Sequence, residues 1–231
     1  MFFFLIIRCV MIGIYWMKLV CLMWVLLVLL IVVLLLGIVM VVVLLNSLSK
    51  DLIVWDFRDI KHREFGFNFK FGFVRKKEFG SVDELVGYIE RNQPLDCFVS
   101  IARYNNPGKM EGWLGSDLFF DIDISGGDVN RVYNEALSVF DALKSDFGLD
   151  NVVLNVSGSK GFHVLVFDDV IQRMSSSDRR EVVDYLMVKY DVVHIDAPSS
   201  CDIHRLRRLE GTRNSKSGLF CKRLKTYNGS E

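Results

Sequence analysis

Acidic residues are absent from the first 46 positions of this 231-residue chain, which hold only two bases, Arg8 and Lys18. Residues 19–45 carry no charge, and a helix of this length, rising about 1.5 Å per residue, would span the ~30 Å core of a bilayer with some tilt. The apolar run is too long for a secretory signal and no small-residue cleavage site follows it, which argues against a cleaved signal peptide. Two interpretations remain, a membrane anchor and a spurious upstream extension, because later starts are available at Met11, Met17, Met23 and Met40.

Cysteines are few, and none of them forms a C-x-x-C pair or a Cys/His cluster with zinc spacing. The five are Cys9, Cys21, Cys97, Cys201 and Cys221. A disulfide framework and a structural zinc site are therefore not expected, and the cytoplasm is the predicted location.

Residues 47–231 hold all 28 acids and 26 of the 28 bases, a net charge of 26 − 28 = −2. This near-neutral stretch is long enough for one domain, and its charge does not suit a uniformly basic nucleic-acid coat.

Apolar periodicity predicts an α+β domain. Alternating phenylalanines from Phe65 to Phe73 predict a strand or hairpin with one aromatic face, most of whose rings we expect in the core. Helices are predicted after a capping box at Ser81, after Asp128, and after Ser177 or Asp178. Strands are predicted over residues 97–103, 117–123, 152–156, 163–167 and 192–195. This order of elements favours one antiparallel or mixed sheet with helices on one side.

The sharpest local feature is Asp121 and Asp123, two carboxylates in an apolar strand. Residues i and i+2 of a strand project from the same face, so both side chains point to one place. Two desolvated like charges are costly unless a cation compensates them, and hard oxygen ligands favour Mg²⁺ or Mn²⁺. The alternative is a strand-end pair that caps a neighbouring turn.

Two further segments carry polar groups in suggestive patterns. Residues 157–163, Ser-Gly-Ser-Lys-Gly-Phe-His, could bring backbone N–H groups and donor side chains to an anion, although the spacing is not that of a Walker loop. The alternative is a tight hairpin with His163 buried in the sheet.

Asp196 then precedes a run, residues 205–225, with eight bases and one acid. A third carboxylate and a phosphate-binding surface would complete a two-metal site, whereas the alternative is a solvated surface.

In this order and with these flanks, the segments resemble the catalytic small subunit of archaeal and eukaryotic DNA primases. The resemblance covers residues 62–224. It is carried by Arg63-Glu-Phe-Gly-Phe67 with Phe73-Val-Arg75, by residues 94–102 and 117–123, by Ser157 to His163, and by Ile195 to Leu219.

The resemblance implies a primase-like core with an RNA-recognition-motif-like catalytic half. It implies that Asp121, Asp123 and Asp196 hold two Mg²⁺ or Mn²⁺ ions. It also implies a set of nucleotide-binding residues, which are Arg75, Ser157, Lys160, His163, Arg208 and Lys216. Three departures mark a minimal version: the zinc knob is missing, one helix replaces a long helical insertion, and Asn214 stands where the family has a phosphate-binding histidine.

The predicted activity is template-directed synthesis of short primers on single-stranded DNA from NTPs or dNTPs, with a large regulatory primase subunit as partner. Alternatives are a primase-related polymerase of end-joining repair, a non-catalytic nucleic-acid-binding relative, and a membrane-associated structural protein supported by residues 1–46 alone. The enzyme is expected in the cytoplasm, either free or attached to the cytoplasmic face of the membrane through residues 19–45.

A chain shortened to begin at Ser47 is predicted to retain full activity, because no predicted site residue precedes it. Nucleotide incorporation by the shortened and the full-length chain checks this. Fractionation of the native protein separates the two interpretations of residues 19–45: a membrane pellet that survives a high-salt wash supports an anchor, and recovery in the supernatant contradicts one.

Overall fold

The computed structural model describes residues 59–124 and 126–229. The predicted helix over residues 19–45 and the predicted domain boundary after residue 46 lie outside the described residues. Within the described ranges, no helix combines the length and the apolar character needed to cross a membrane.

The described residues form strands and helices in alternation. The strands are β1 (Arg63–Phe69), β2 (Gly72–Lys77), β3 (Asp96–Asn106), β4 (Glu111–Ser116), β5 (Leu118–Ile122), β6 (Asn151–Val156), β7 (Phe162–Val166), β8 (Leu206–Arg208) and β9 (Lys222–Asn228). The α-helices are α1 (Val82–Asn92), α2 (Val129–Ser145), α3 (Ser176–Tyr190) and the short α4 (Ala197–Cys201). Two single-turn 3-10 helices lie at Ile60–His62 and Asp169–Ile171.

The strands form two antiparallel sheets, whereas the order of predicted elements favoured one. Sheet A has the order β2-β1-β3-β4, with β8 also paired to β3, and sheet B has the order β5-β7-β6-β9. The α+β class is confirmed. The single-sheet prediction is wrong because β4 and β5 are adjacent in sequence yet belong to different sheets, a change of partner that strand periodicity does not reveal.

Helices cover one face of each sheet. α2 and α3 pack on sheet B around buried residues such as Phe120, Val139 and Val164, and α1 packs on sheet A against Phe65 and Phe67. A third, smaller cluster of Ile101, Phe119 and Leu165 contains residues of both sheets. Because side chains alternate along a strand, β5 buries Leu118, Phe120 and Ile122 under the helices and sends Phe119 and Asp121 to the opposite face.

The phenylalanine repeat forms the hairpin β1–β2, as predicted, but most of its rings are not in the core. Phe65 and Phe67 are fully buried and Phe69 is partly buried. Phe71 lies in the turn and is 81% exposed, stacked on Phe69 at 4.9 Å between ring centroids, and Phe73 is half-exposed. The turn interrupts the alternation, so only the first part of the repeat keeps one buried face.

Local capping chemistry identifies the starts of α1 and α2 correctly, at Ser81 and Asp128, and misses the start of α3. The Ser81 hydroxyl accepts the amide N–H of Glu84, as predicted for α1. For α3, the predicted caps Ser177 and Asp178 are wrong, because Ser175 is the N-cap. Its hydroxyl accepts the Asp178 amide and its own amide donates to the Asp178 carboxylate at 2.7 Å, a reciprocal pair that satisfies two free donors.

A buried charge cluster holds the chain where it passes from sheet A to sheet B. Arg63 forms a 2.6 Å ion pair with Asp117, which lies between β4 and β5, and also donates to two carbonyls of β3. Arg179, which is fully buried, donates to the carbonyls of Asp117 and Ser116 at 2.7 and 2.8 Å. Burial lowers the pKa of Arg179 to about 10, so this side chain remains charged at neutral pH.

Asp117→Asn is predicted to lower the free energy of unfolding by about 3–5 kcal/mol, because two buried guanidinium groups lose their nearest carboxylate. Urea-induced unfolding measures the change. The control is Asp184→Asn, which breaks an exposed pair with Arg180 on α3 and should cost no more than about 1 kcal/mol. Similar losses in both variants would show that the cluster at the sheet crossover is not a principal stabilising contact.

Candidate active site

The carboxyl end of β5 pairs with the segment that follows α3. Ile122 and Ile195 form an antiparallel bridge, and the amide of Asp196 donates to the carbonyl of Asp121 at 2.8 Å. In this register Asp121 and Asp196 lie opposite each other, and side chains at facing positions on antiparallel strands are near neighbours. The strand predicted over residues 192–195 is wrong: one bridge forms there, since the chain turns at Asp196 to begin α4.

Asp121 is the most buried of the three predicted carboxylates, with its side chain 20% exposed. Burial is the main cause that raises the pKa of Asp121 to about 6. The guanidinium of Arg205, 3.8 Å from the carboxylate, acts in the opposite direction, while the charges of Asp196 and Asp123 raise the pKa further. The three carboxylates therefore act on one another electrostatically although Asp196 is distant in sequence.

Asp123 and Asp196 are exposed and make local hydrogen bonds. Asp123 accepts the amide N–H of Ile124 at 2.7 Å, and Asp196 accepts the hydroxyl of Ser199 at 2.6 Å. Among residues 59–124 and 126–229, no three His, Cys, Asp or Glu side chains meet closely enough to form a ready-made metal site. A cation bound by all three aspartates would have to replace these local hydrogen bonds.

Six of the nine predicted site residues line a single cleft of about 250 Å³. They are Asp121, Asp123, Ser157, His163, Arg208 and Lys216. The cleft is also lined by Phe98, Phe119, Ser159, Arg205, Leu206, Arg207 and Asn214. Acidic residues of sheet B thus share one cavity with the basic segment around β8 of sheet A.

His163 lies in this cleft and is paired with Asp121 across β5 and β7. Its Nε2 is 3.8 Å from the Asp121 carboxylate, its ring packs edge-on against Phe119, and its buried Nδ1 has no hydrogen-bond partner among the described residues. Burial, aided by the charges of three neighbouring arginines, lowers the pKa of His163 to about 3. The imidazole is therefore neutral at physiological pH and can offer hydrogen bonds but not positive charge.

The glycines of the β6–β7 turn allow close packing against other parts of the protein. Gly158 has a φ of +83°, and a Cβ there would lie 3.0 Å from the backbone nitrogen of Cys221. A Cβ on Gly161 would lie 3.0 Å from the Asp123 carboxylate, and the Gly161 carbonyl accepts the amide of Ser157. Gly161 therefore determines how closely the turn approaches one of the predicted catalytic carboxylates.

Three predicted residues do not line the cleft. Lys160 is exposed in the β6–β7 turn. Arg75, on β2, donates two 2.9 Å hydrogen bonds to the carboxylate of Glu64. Asp196 is outside the lining but adjoins it through its backbone pairing with Asp121.

Arg208 is oriented by an ion pair on sheet A. Its Nη1 donates to the Asp96 carboxylate at 2.7 Å, and its guanidinium lies over the Phe98 ring, 5.1 Å from the centroid. Although burial acts to raise it, the pKa of Asp96 is held well below its usual range by hydrogen bonds from Ser215, Asn68 and Arg208. The ion pair constrains the side chain of Arg208 before any ligand binds.

Two further bases of the run 205–225, Arg205 and Arg207, line the cleft, although no motif in the sequence distinguishes them from the other bases of the run. Arg207 is buried, as is Glu210, the one acid of that run. Glu210 accepts from Arg223 on β9 at 2.9 Å and from Asn155 on β6 at 3.4 Å. This part of the run therefore joins the two sheets, which its composition alone could not show.

Comparisons with known proteins identify the family of this chain. A profile of the DNA primase small subunit matches residues 120–208. The DNA primase small subunit PriS of Aeropyrum pernix is 36% identical over 148 residues, which cover 57% of this chain and 43% of that protein. PriS of Sulfolobus acidocaldarius is 32% identical over 223 residues, covering 70% of this chain and 69% of that protein. The chain belongs to the DNA primase small-subunit family.

These matches confirm the primase family and the nucleotidyltransferase class that were predicted from the sequence. The profile match begins just before Asp121 and ends at Arg208, so it includes all three carboxylates but neither Arg75 nor Lys216. Among solved structures, the polymerase domain of Mycobacterium tuberculosis ligase D has a TM-score of 0.52 at 18% identity. The match covers 77% of this chain and 71% of that domain, and it concerns the fold.

Gly161→Ala is predicted to lower kcat for nucleotide incorporation by about tenfold or more, because displacing a catalytic group by a fraction of an ångström is costly. The added methyl would press on the carboxylate of Asp123. Gly126→Ala is the control, since a Cβ there meets nothing within 4 Å. Steady-state kinetics and thermal unfolding should show a loss of activity confined to Gly161→Ala; equal kcat values in the two variants would contradict the prediction.

Proposed function

We propose that this member of the primase family synthesises short primers on single-stranded DNA by template-directed nucleotidyl transfer. The observation that carries the proposal is Asp121, partly buried in the cleft opposite Asp196 and two residues before Asp123. Arginine and lysine side chains line the same cleft. Carboxylates on one side and bases on the other suit a substrate that carries both metal-bound and free phosphate oxygens.

Asp121, Asp123 and Asp196 would hold two divalent cations, Mg²⁺ or Mn²⁺. Primases and related polymerases generally use divalent metal ions. The residues present fit such ions, because the donor atoms are all carboxylate oxygens and the charge of Asp121 is disfavoured by burial and by its two neighbours. When bound, the ions would lower the pKa of the attacking 3′-hydroxyl and neutralise charge on the departing pyrophosphate.

The protein's own contribution would be to bind and orient the triphosphate. Arg208 and Lys216 would supply positive charge, with the Arg208 guanidinium already directed by Asp96. Ser157 and the neutral imidazole of His163 would donate hydrogen bonds within the cleft. Nucleotidyl transfer requires little covalent chemistry of the protein, so positioning and charge would carry the catalysis.

Two predicted phosphate ligands would act from outside the cleft. Lys160 is exposed at the β6–β7 turn and would reach phosphate oxygens from the rim. Arg75 would have to share or leave its carboxylate partner Glu64 to bind a phosphate. We therefore expect a smaller contribution to substrate binding from Arg75 than from Arg208.

The proposed partners are a single-stranded DNA template, NTPs or dNTPs, and a large regulatory primase subunit, since relatives are named as small subunits. Sheet B with α2 and α3 would be the RNA-recognition-motif-like half, which the order β5, α2, β6, β7, α3 followed by the Ile195 bridge supports. The cytoplasmic location and a membrane attachment through residues 19–45 remain predictions.

An end-joining repair polymerase is the second candidate, motivated by the shared fold of the ligase D polymerase domain. De novo synthesis on a single-stranded template without a primer favours the primase. Extension restricted to annealed 3′ ends favours the repair polymerase. A non-catalytic relative is disfavoured by the presence of all three aspartates.

Asp123→Ala and Lys160→Ala are predicted to fail in different ways. Asp123→Ala should abolish incorporation even at saturating Mg²⁺ or Mn²⁺, and it should leave stability unchanged because it removes a like charge from beside Asp121. Lys160→Ala should retain kcat but raise KM for the nucleotide. The rise should correspond to a loss of roughly 1.5–3 kcal/mol of binding free energy, the contribution of a charge-assisted hydrogen bond. Steady-state kinetics across nucleotide concentrations separates the two.

Asp141→Ala serves as the control, because this exposed aspartate lies on α2 and pairs only weakly with Lys144 at 3.8 Å. It should behave as the unmodified chain does. Full activity in Asp123→Ala would overturn the two-metal mechanism. An unchanged KM in Lys160→Ala, with weaker binding of the DNA template, would reassign Lys160 to the nucleic-acid backbone.

A further inference from the structure

A buried carboxylate on α2 is bound to the segment that carries the third aspartate. Glu135 is almost fully buried, although it lies on a helix whose other buried residues are apolar. One oxygen accepts the backbone N–H of His194 at 3.0 Å, and the other accepts the ring Nδ1–H of His194 at 2.8 Å. Arg131 donates a third, longer bond of 3.2 Å from the preceding turn of the helix.

His194 connects this carboxylate to the catalytic strand. Its carbonyl accepts the amide of Asp123 at 3.1 Å, and two residues later the amide of Asp196 donates to the carbonyl of Asp121 at 2.8 Å. A continuous series of hydrogen bonds thus runs from Glu135 through His194 to the backbone of Asp123, the residue that follows β5. No step of the proposed mechanism uses either side chain.

The pairing that this series supports is short and electrostatically unfavourable. It consists of one bridge, Ile122 with Ile195, and the two backbone hydrogen bonds beside it. Two backbone hydrogen bonds are a weak attachment, because each replaces a hydrogen bond to water, and like charges directly opposite each other on neighbouring strands oppose the pairing. Without a cation, repulsion between Asp121 and Asp196 favours separation of the two segments. Two further contacts oppose it: the Ser200 hydroxyl on α4 accepts the Asp121 amide at 3.1 Å, and Glu135 holds His194.

We propose that Glu135 and His194 are a positioning pair that holds Asp196 opposite Asp121 and thereby sets the affinity of the site for divalent cations. The inference rests on the proposed two-metal function. Neither residue touches the cation or the substrate; Glu135 acts through the backbone and ring of His194. Removal of such an indirect support is expected to weaken metal binding more than nucleotide binding.

The test measures binding of Mn²⁺ to the full-length protein in the absence of nucleotide, by electron paramagnetic resonance of the free ion. Glu135→Ala is expected to raise the Kd for Mn²⁺ by about tenfold or more, the usual cost of losing a group that orients a metal ligand. Glu135→Gln keeps the shape and one acceptor oxygen, so it should fold normally and show a smaller increase. In both variants KM for the nucleotide at saturating Mn²⁺ should change little.

Two controls separate positioning from stability. Arg131→Ala removes one hydrogen bond to Glu135 and leaves both bonds to His194, so the Kd should stay close to that of the unmodified protein. Ser175→Ala removes the N-cap of α3 and so destabilises the fold without touching the hydrogen bonds between Glu135 and His194. It should lower the unfolding temperature but not the affinity for Mn²⁺.

An unchanged Kd in Glu135→Gln and Glu135→Ala, together with normal Mn²⁺ binding by the unmodified protein, would overturn the positioning pair and leave the two-metal proposal intact. A parallel loss of affinity in Ser175→Ala would overturn it as well, since general destabilisation would then explain the effect. Absence of Mn²⁺ binding by the unmodified protein would overturn the two-metal proposal itself, a result distinct from the other two.

Discussion

Between Ser116 and Leu118 the backbone leaves one sheet and enters the other, and the buried ion pair between Arg63 and Asp117 holds it at that point. Arg179 donates hydrogen bonds to the carbonyls of Ser116 and Asp117 at the crossover. A shift of the chain would break these bonds and leave buried polar groups without hydrogen-bond partners. β5 begins at the next residue. The register of β5, and with it the position of Asp121, is therefore fixed by a contact outside the cleft. Arg63 opens the Arg-Glu-Phe-Gly segment that contributes to the family resemblance, and its role here is to anchor the crossover.

Acidic side chains line one part of the cleft and basic side chains line another, and the protein positions both before a ligand binds. On sheet B, Asp121 is partly buried beside two other carboxylates, which is unfavourable for its ionised form. On sheet A, Arg208 is held by Asp96 and packed over Phe98. A triphosphate with divalent cations would bring positive charge to the aspartates and negative charge to the arginine. The substrate complex would thus relieve the repulsion among the carboxylates, while its phosphate oxygens would meet an arginine whose orientation is already set by Asp96.

Local sequence patterns account for much of the fold. The alternation in β5 correctly predicts that Asp121 lies on the face opposite Phe120, and Asp128 caps α2 through the amide of Asn130 as expected from its position before an apolar periodic segment. These features depend only on neighbours within a few residues, where backbone geometry leaves few choices. The errors, such as the cap of α3 and the number of buried phenylalanines, arose where several polar residues compete or where a turn breaks the period.

The sequence alone predicted the class of the fold and the family correctly, and it proposed the three aspartates as the metal site. Tertiary structure alone decided that Asp196 lies opposite Asp121, that Arg75 is engaged by Glu64, and that Glu135 supports His194. It also decided that β4 and β5 belong to different sheets. The physical reason is distance along the chain. A strand or helix pattern fixes the face on which a side chain lies, but it does not say which distant residue that side chain will contact. Strand register and packing decide the contact. They are set by burying the most apolar surface while leaving the fewest charges and hydrogen-bond donors unpaired.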